Sequence, residues 1–166
     1  MINKNESIQI IKSDIVNSPT KNLEVIKATI KNGGGLLKIL PDQTFKKIML
    51  RRSRNYAKPG LVKDEELLEY AYMTWFTIDV DSFNNFDYIV FFTHDEETEE
   101  HYSLIFTSNN FKQLISTNVS TVQIYIQKIK SSGDWVITRL GNTRLTPPID
   151  VSENLNNWKI LTYSNN

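Results

Sequence analysis

Hydrophobic positions follow two different spacings along this chain, and each spacing predicts a different element. In "NLEVIKATI", Leu23, Ile26 and Ile30 are spaced as on one face of a helix. Ser18 precedes this segment and suits a helix N-cap, and Gly33 follows it and suits a helix stop. The pattern therefore predicts a helix from Ser18 to Gly33.

Short apolar runs predict strands in much of the remaining chain. The runs "GLLKIL" and "FKKIMLRR" flank the turn "PDQT" and predict a hairpin. "FDYIVFFTH" is a continuous run of aromatic and β-branched residues, which is typical of a strand buried on both faces. "HYSLIFTS" is predicted to return beside it across an acidic turn.

The second half of the chain adds strands and short helices. "STVQIYIQKI" and "GDWVITRL" predict a second pair of strands. Ser108 or Asn109 is predicted to begin a short helix, and Trp158 and Leu161 are expected to pack back onto the body. "SIQIIKSDIV" fits a helix or a strand, and "KDEELLEYAYMTWF" predicts a helix that could equally continue as a strand.

These elements predict an α+β or α/β fold with a mixed central β-sheet, flanked by helices. The sheet should have about five to seven strands. No Pro- or Gly-rich linker divides the 166 residues, so residues 1–166 are expected to form a single domain.

Composition removes several classes of function. The chain has no cysteine, which excludes disulfides, thiolate nucleophiles and cysteine-ligated metals. Its 19 basic and 19 acidic residues balance, so any electrostatic recognition must be local. The N-terminus lacks a long apolar run, and no window approaches the length of a membrane span. We therefore expect a cytoplasmic protein without a membrane partner.

A basic stretch is the sharpest local feature of the sequence. It comprises Lys46, Lys47, Arg51, Arg52, Arg54, Lys58 and Lys63, with Tyr56 among them and no acid between the first and the last. Cations beside an aromatic ring suit phosphate contacts together with base stacking. The first six cations are thus predicted to bind nucleic acid. Alternatively, the stretch is a solvated strand edge, balanced by the acidic block at residues 64–69.

Two acidic features raise the question of a metal site. His94 and His101 flank the turn "DEETEE", where Glu97 or Glu99 could supply an oxygen ligand. A solvated hairpin tip explains the same residues better, because a turn preorganises ligands poorly. Another pair of acids, in "TIDVD", would face one side of a strand but is better explained by strand-end solvation.

The order of these elements resembles restriction-endonuclease-like proteins of the PD-(D/E)xK class. The segments that carry the resemblance are "IMLRRSRN", "WFTI", "DYIVFF" and "YSLIFTSNNFKQLI", within a similarity that covers most of the chain after residue 18. In that family an acid and a lysine two residues apart on a strand hold Mg²⁺ and activate water.

The resemblance places catalytic acids at Glu24 and Asp42 and the critical pair at Met49 and Arg51. Methionine is no ligand for Mg²⁺, and arginine cannot act as a base. The resemblance therefore implies a nuclease-like fold that has lost its catalytic pair, with Mg²⁺ needed only if activity remains. Met49 and Arg51 would face a phosphate-binding groove, while Ile48 and Leu50 would face the core.

Three functions are compatible with the sequence. The first is a nucleic-acid-associated, nuclease-like module without robust hydrolysis, linked to restriction, phage or plasmid functions. The second is a protein-interaction module of the immunity or inhibitor type, which would use the acidic turn and the aromatic-rich middle to hold a basic partner. The third is a Mg²⁺-dependent nuclease that uses Glu24, Asp42, Asp79 or Asp81.

Overall fold

The computed structural model describes residues 2–20, 24–30, 33–39, 45–115 and 119–162, with the backbone alone for 26–30 and 33–39. The helices are α1 (Lys4–Asn17), α2 (Asp64–Glu69) and α3 (Ser108–Ile115). The strands are β1 (Glu24–Ile30), β2 (Gly33–Ile39), β3 (Phe45–Arg54), β4 (Tyr70–Asp79), β5 (Tyr88–His94), β6 (His101–Thr107), β7 (Thr121–Ile129), β8 (Trp135–Leu140) and β9 (Thr143–Asp150). Short 3₁₀ helices lie at Val80–Asn85, Ser152–Asn154 and Trp158–Thr162.

The strands form two sheets, so the fold is α+β. The first sheet has the order β1-β2-β3-β5-β6 and is mixed, because β3 and β5 run parallel while the other neighbours are antiparallel. The second sheet has the order β4-β7-β8-β9 and is antiparallel throughout. The predicted hairpin of β2 and β3 and the predicted pairings of β5 with β6 and β7 with β8 are confirmed. The predicted mixed sheet is confirmed and has five strands, whereas the second, antiparallel sheet was not predicted.

The predicted helix between Ser18 and Gly33 is wrong. Seven residues of that segment, Glu24–Ile30, form β1, which pairs with β2 from Glu24 opposite Ile39 to Ile30 opposite Gly33. The segment is rich in β-branched residues, which lose rotamer freedom in a helix and favour strands. The helix lies earlier and contains "SIQIIKSDIV", the segment that fitted either a helix or a strand. There Asn3 accepts the Glu6 N–H at 3.0 Å and Glu6 accepts the Asn3 N–H at 2.8 Å, which closes a capping box on α1.

Strands β3, β5 and β6 of the first sheet are buried on both faces. On one side, Met49, Ile89 and Phe91 pack with residues of the second sheet. On the other side, the residues that alternate with them pack against α1 and the C-terminal segment. That second cluster includes Ile8, Ile11, Ile15, Ile48, Leu50, Tyr88, Val90, Phe92, Trp158 and Leu161. The predicted burial of both faces of β5, and of the two C-terminal residues, is confirmed.

A buried asparagine ties the end of the first sheet to the second. Asn55 follows β3, and its Oδ1 accepts the Met73 N–H of β4 at 3.1 Å and the Ala57 N–H at 2.9 Å. Its Nδ2 donates to Asp95 Oδ2 at 2.7 Å, just beyond β5. The Tyr56 N–H donates to the Met73 carbonyl at 2.8 Å. These bonds hold the loop after β3 across β4, where it forms one wall of the groove described below.

The Asp95 carboxylate at this junction should make stability depend on pH. Burial alone would raise its pKa, but hydrogen bonds from Asn55, the Glu97 N–H and Lys58 outweigh burial, and the pKa lies below its ordinary value of 3.8. The unfolded chain therefore binds the proton more readily, and the stabilisation is complete above pH 3.8 and is lost as the pH falls towards the folded pKa. The slope from this one group is at most about 1.4 kcal/mol per pH unit.

Urea unfolding across the acid range tests this contribution. Asp95→Asn should flatten the dependence on pH below 3.8, because the variant has no titrating carboxyl group at this position. An Asp95→Asn profile that runs parallel to that of the wild type would contradict the assignment.

Candidate nucleic-acid interface

A groove of about 570 Å³ opens on the face of the second sheet that points away from the core. Its walls are the loop between β3 and α2, α2 itself and strands β4, β7, β8 and β9. This volume lies within the range of small-molecule sites, which are concave and mix apolar walls with a few polar groups.

Aromatic side chains form the floor of the groove. Successive residues of β4 alternate, so Tyr72 and Phe76 enter the core while Trp75 points outward, with 44 % of its surface exposed. The Trp75 ring centroid lies 5.6 Å from that of Tyr56 and 6.0 Å from that of Tyr125 on β7. The three outward rings therefore form one contiguous aromatic surface across two strands and the neighbouring loop.

Guanidinium groups extend this surface at both ends. The Cζ atom of Arg54 lies 4.8 Å from the centroid of the Tyr56 ring, and that of Arg139 lies 5.3 Å from the centroid of the Tyr125 ring. Together, Arg54, Tyr56, Trp75, Tyr125 and Arg139 form what we call the stacking row. Contact with aromatic faces orients a guanidinium while leaving its N–H donors available to an anion.

Further charged groups line the groove beside the stacking row. Arg144 of β9 and Lys63 add positive charge, and α2 contributes the carboxylates of Glu65, Glu66 and Glu69. Neither Arg139 nor Arg144 forms a salt bridge with any residue that the structure describes. The groove thus offers aromatic rings inclined to one another by 79° and 52°, anion-binding groups and hydrogen-bond acceptors within one volume.

Burial holds a phenol in its protonated form beside one of these carboxylates. Burial, and next a side-chain hydrogen bond with Glu69, raise the pKa of Tyr70 to about 12. A phenol with this pKa remains a hydrogen-bond donor at neutral pH. The Tyr70 hydroxyl is therefore protonated at the margin of the groove, which Glu69 also lines.

The six cations of the predicted nucleic-acid site are not gathered on one surface. Alternation along β3 sends Lys47 and Arg51 to the face opposite that of Lys46, Arg52 and Arg54. Several are also engaged within the chain. Lys46 Nζ lies 3.7 Å from Asp87, Arg52 Nη1 donates to the Ile2 carbonyl at 3.0 Å, and Lys58 Nζ lies 2.8 Å from Glu97 and 3.3 Å from Asp95. Of the six, Arg54 belongs to the stacking row.

The predicted outward orientation of Met49 is wrong. Its side chain is 0 % exposed, between the two sheets, because β3 is covered on one face by α1 and on the other by the second sheet. The prediction that Ile48 and Leu50 face the core is confirmed. Arg51 is partly buried, and burial lowers its pKa although nearby Asp79 opposes that shift. Its Nε is buried without a hydrogen-bond partner in the described structure.

The structure describes only one of the two predicted catalytic acids. Glu24 is the first residue of β1 and is exposed, whereas the sequence placed it on a helix. Asp42 and its predicted turn lie outside the described residues. Asp79 ends β4 and accepts the N–H of Asp81 at 3.1 Å, but Asp81 belongs to the following 3₁₀ helix, so the two do not share a strand face.

The two histidines contact different carboxylates. His94 Nε2 lies 3.9 Å from Glu99, whereas His101 Nε2 lies 3.1 Å from Asp14 of α1. Within the described ranges, no three histidine, aspartate or glutamate side chains are arranged to hold a metal ion. Residues 96–100 of the acidic turn are all exposed, and their predicted role in holding a basic partner stays a prediction.

Sequence reasoning selected Arg54 and Tyr56 but missed the rest of the stacking row. The available signal was the presence of aromatic residues at the outward-facing positions of two alternating strands. In "YMTWFTID" and "TVQIYIQ", Trp75 and Tyr125 occupy the positions between core residues, where a solvent-facing strand normally carries polar side chains. Phase alone could not show that the two residues lie on neighbouring strands, because β4 and β7 are separated by two other strands in the sequence.

Comparison of the chain with family models, with curated proteins and with solved structures finds no significant match. None of the described helices is long and apolar enough to cross a membrane.

Proposed function

We propose that this protein binds single-stranded nucleic acid in the groove of the second sheet. Bases would stack on the rings of the stacking row, and phosphates would contact its guanidinium groups and Arg144. The observation that carries the proposal is the continuous contact from Arg54 through Tyr56, Trp75 and Tyr125 to Arg139. The proposal keeps the predicted association with nucleic acid, retains only Arg54 of β3 at the contact surface, and otherwise places that surface on the loop after β3 and on β4, β7 and β8.

Stacking supports a single strand in preference to a duplex. Unpaired bases expose π-faces, and stacking on aromatic side chains contributes about 1–3 kcal/mol per base. A duplex hides those faces and is bound chiefly through its phosphates, which requires a broad cationic surface. This chain has no net charge, and the cations of β3 point in opposite directions.

The predicted nuclease-like resemblance and Mg²⁺-dependent hydrolysis stay predictions, as does the link to restriction, phage or plasmid functions. The groove proposed here depends on none of them. It uses stacking and anion contacts, and these would hold a strand whether or not the protein cuts it.

Oligothymidylate should bind, with a modest dependence on salt. Lys63, Arg139 and Arg144 line the groove and Arg54 contacts the Tyr56 ring at its edge, so the slope of log K against log salt should be no steeper than about −2.8 for a single strand. Tryptophan fluorescence can report the binding. Trp135 and Trp158 are 0 % and 3 % exposed, so quenching by the oligonucleotide should come from Trp75.

Two arginine variants separate the groove from the strand predicted by sequence. Arg139→Ala should weaken binding roughly tenfold, because a lost contact to a charged group costs on the order of 1.5 kcal/mol. The double variant Arg51→Ala, Arg52→Ala should bind as the wild type does, provided that it folds by circular dichroism. If the double variant weakened binding and Arg139→Ala did not, the contact surface would lie on β3. An absence of quenching at about 50 mM salt would refute the proposal.

A further inference from the structure

We infer that the stacking row selects strands whose neighbouring bases stack weakly on one another, and that it therefore binds pyrimidine-rich single strands in preference to adenine-rich ones. This inference rests on the proposed function, because it concerns the strand that the same row would hold. It goes further by naming the class of strand and the feature that selects it, which is the inclination between successive rings.

The rings of the stacking row are not parallel. The planes of Tyr56 and Trp75 meet at 79°, and those of Trp75 and Tyr125 meet at 52°. Two bases that each lay flat on successive rings would be inclined to each other by the same angles. Bases that stack on one another instead keep their planes nearly parallel. A strand that uses more than one ring must therefore give up the stacking between the bases concerned.

The spacing of the rings leads to the same conclusion. The centroid of the Trp75 ring lies 5.6 Å from that of Tyr56 and 6.0 Å from that of Tyr125. Bases stacked in a helical strand follow one another at about 3.4 Å. Successive bases in that arrangement would not coincide with successive rings. The strand must therefore extend, and so separate its bases, to place one base on each ring.

Contacts along the stacking row hold the rings in this arrangement. Trp75 lies directly opposite Tyr125 in the register of β4 with β7, and the Tyr56 N–H donates to a carbonyl of β4 at 2.8 Å. The Cζ atoms of Arg54 and Arg139 lie 4.8 Å and 5.3 Å from the centroids of the two outer rings. Turning either outer ring parallel to Trp75 would disturb its contact with a guanidinium. We therefore expect the strand to adapt to the row.

Bases differ in what they lose when the strand opens. Every base has a π-face, so each can gain a contact with a ring, and sequence preferences arise from stacking strength and backbone flexibility. Adjacent adenines stack strongly on one another, whereas adjacent pyrimidines stack weakly. One stacked step of a duplex is worth on average about a factor of ten in an equilibrium constant. Single strands stack less strongly, and three rings open two steps, so we expect adenine runs to bind roughly tenfold more weakly.

Four DNA strands of about eight nucleotides test the preference. Oligothymidylate and oligocytidylate should bind roughly tenfold more tightly than oligoadenylate. A strand that alternates adenine with cytosine has no adjacent adenines, so it should bind nearly as tightly as oligocytidylate. An affinity for this strand midway between those for oligoadenylate and oligocytidylate would show discrimination against adenine itself and overturn the inference. Equal affinity for all four strands would also overturn it but leave the proposed function intact, whereas no binding of any strand would refute the proposed function.

Removal of one outer ring assigns the preference to the stacking row. Tyr125→Ala leaves only the inclined pair of Tyr56 and Trp75, so one step opens instead of two. The ratio of the affinities for oligothymidylate and oligoadenylate should then fall from roughly tenfold to roughly threefold. The matched control is Phe45→Ala, which removes an exposed ring from the other sheet and should keep the ratio. An unchanged ratio in Tyr125→Ala would overturn the assignment, and the strand series on the unaltered protein decides the preference if this variant does not fold.

Discussion

Replacing Phe91 with alanine should lower the free energy of unfolding by about 3–5 kcal/mol, the usual cost of removing a buried phenylalanine side chain. Phe91 lies in the middle of β5 and is fully buried between the two sheets. Its ring centroid lies 4.8 Å from that of Phe76, 5.1 Å from that of Phe111 and 5.8 Å from that of Phe106. The truncation would open a cavity where both sheets and α3 meet, and urea unfolding followed by circular dichroism measures the loss.

Two further variants control this measurement. Phe45→Ala removes the same ring from a position that is 56 % exposed, and it should change the unfolding free energy by no more than about 0.5 kcal/mol. Phe91→Leu preserves most of the buried volume and should cost less than about 1.5 kcal/mol, so a gradation remains measurable if the alanine variant does not fold. Similar small losses for Phe91→Ala and Phe45→Ala would show that the two sheets do not share this core.

Replacing Trp75 with alanine should weaken the binding of oligothymidylate by roughly 5- to 150-fold, because stacking of one base contributes about 1–3 kcal/mol. Trp75 is the central ring of the stacking row, in contact with Tyr56 on one side and Tyr125 on the other. Its loss would remove one base platform and separate the two that remain. The anisotropy of a labelled oligonucleotide is the suitable measurement, since the variant lacks the fluorescent side chain.

The controls distinguish loss of stacking from loss of fold. Trp75→Phe keeps a π-face and should retain most of the affinity, while Phe45→Ala removes an exposed ring from the other sheet and should leave binding unchanged. The part of Trp75 that is exposed contributes little to the core, so Trp75→Ala should remain folded. Binding by Trp75→Ala at wild-type affinity would exclude the stacking row as the contact surface.

Local sequence was sufficient where one strand or one turn carried the whole signal. The run in β5 predicts burial on both faces without knowledge of its neighbours. Apolar residues do not alternate with polar ones along it, and such a run suits an interior strand. It was insufficient between Ser18 and Gly33, where helical spacing competed with β-branched composition. Pairing with β2 decided that case, since a strand gains its hydrogen bonds from a partner and not from itself.

The candidate site was likewise predicted only in the part that lies on one segment of the chain. The sequence placed Arg54 and Tyr56 in a region suited to phosphate contacts and stacking. It could not place Trp75 or Tyr125 beside them, because a second sheet had not been predicted. It also assigned Met49 to a groove, because a single alternating strand does not reveal that layers cover both of its faces.

By itself, the amino-acid sequence determined that this chain is a cysteine-free protein of mixed α and β structure, with balanced charge and a deeply buried central strand. Those properties follow from residue types and from contacts between near neighbours. The tertiary structure alone decided that there are two sheets, that the cations of β3 point apart, and that three rings and two arginines from separate segments meet on one face. Such long-range contacts depend on which strands pair and which faces are covered, and the order of residues along one segment does not record either.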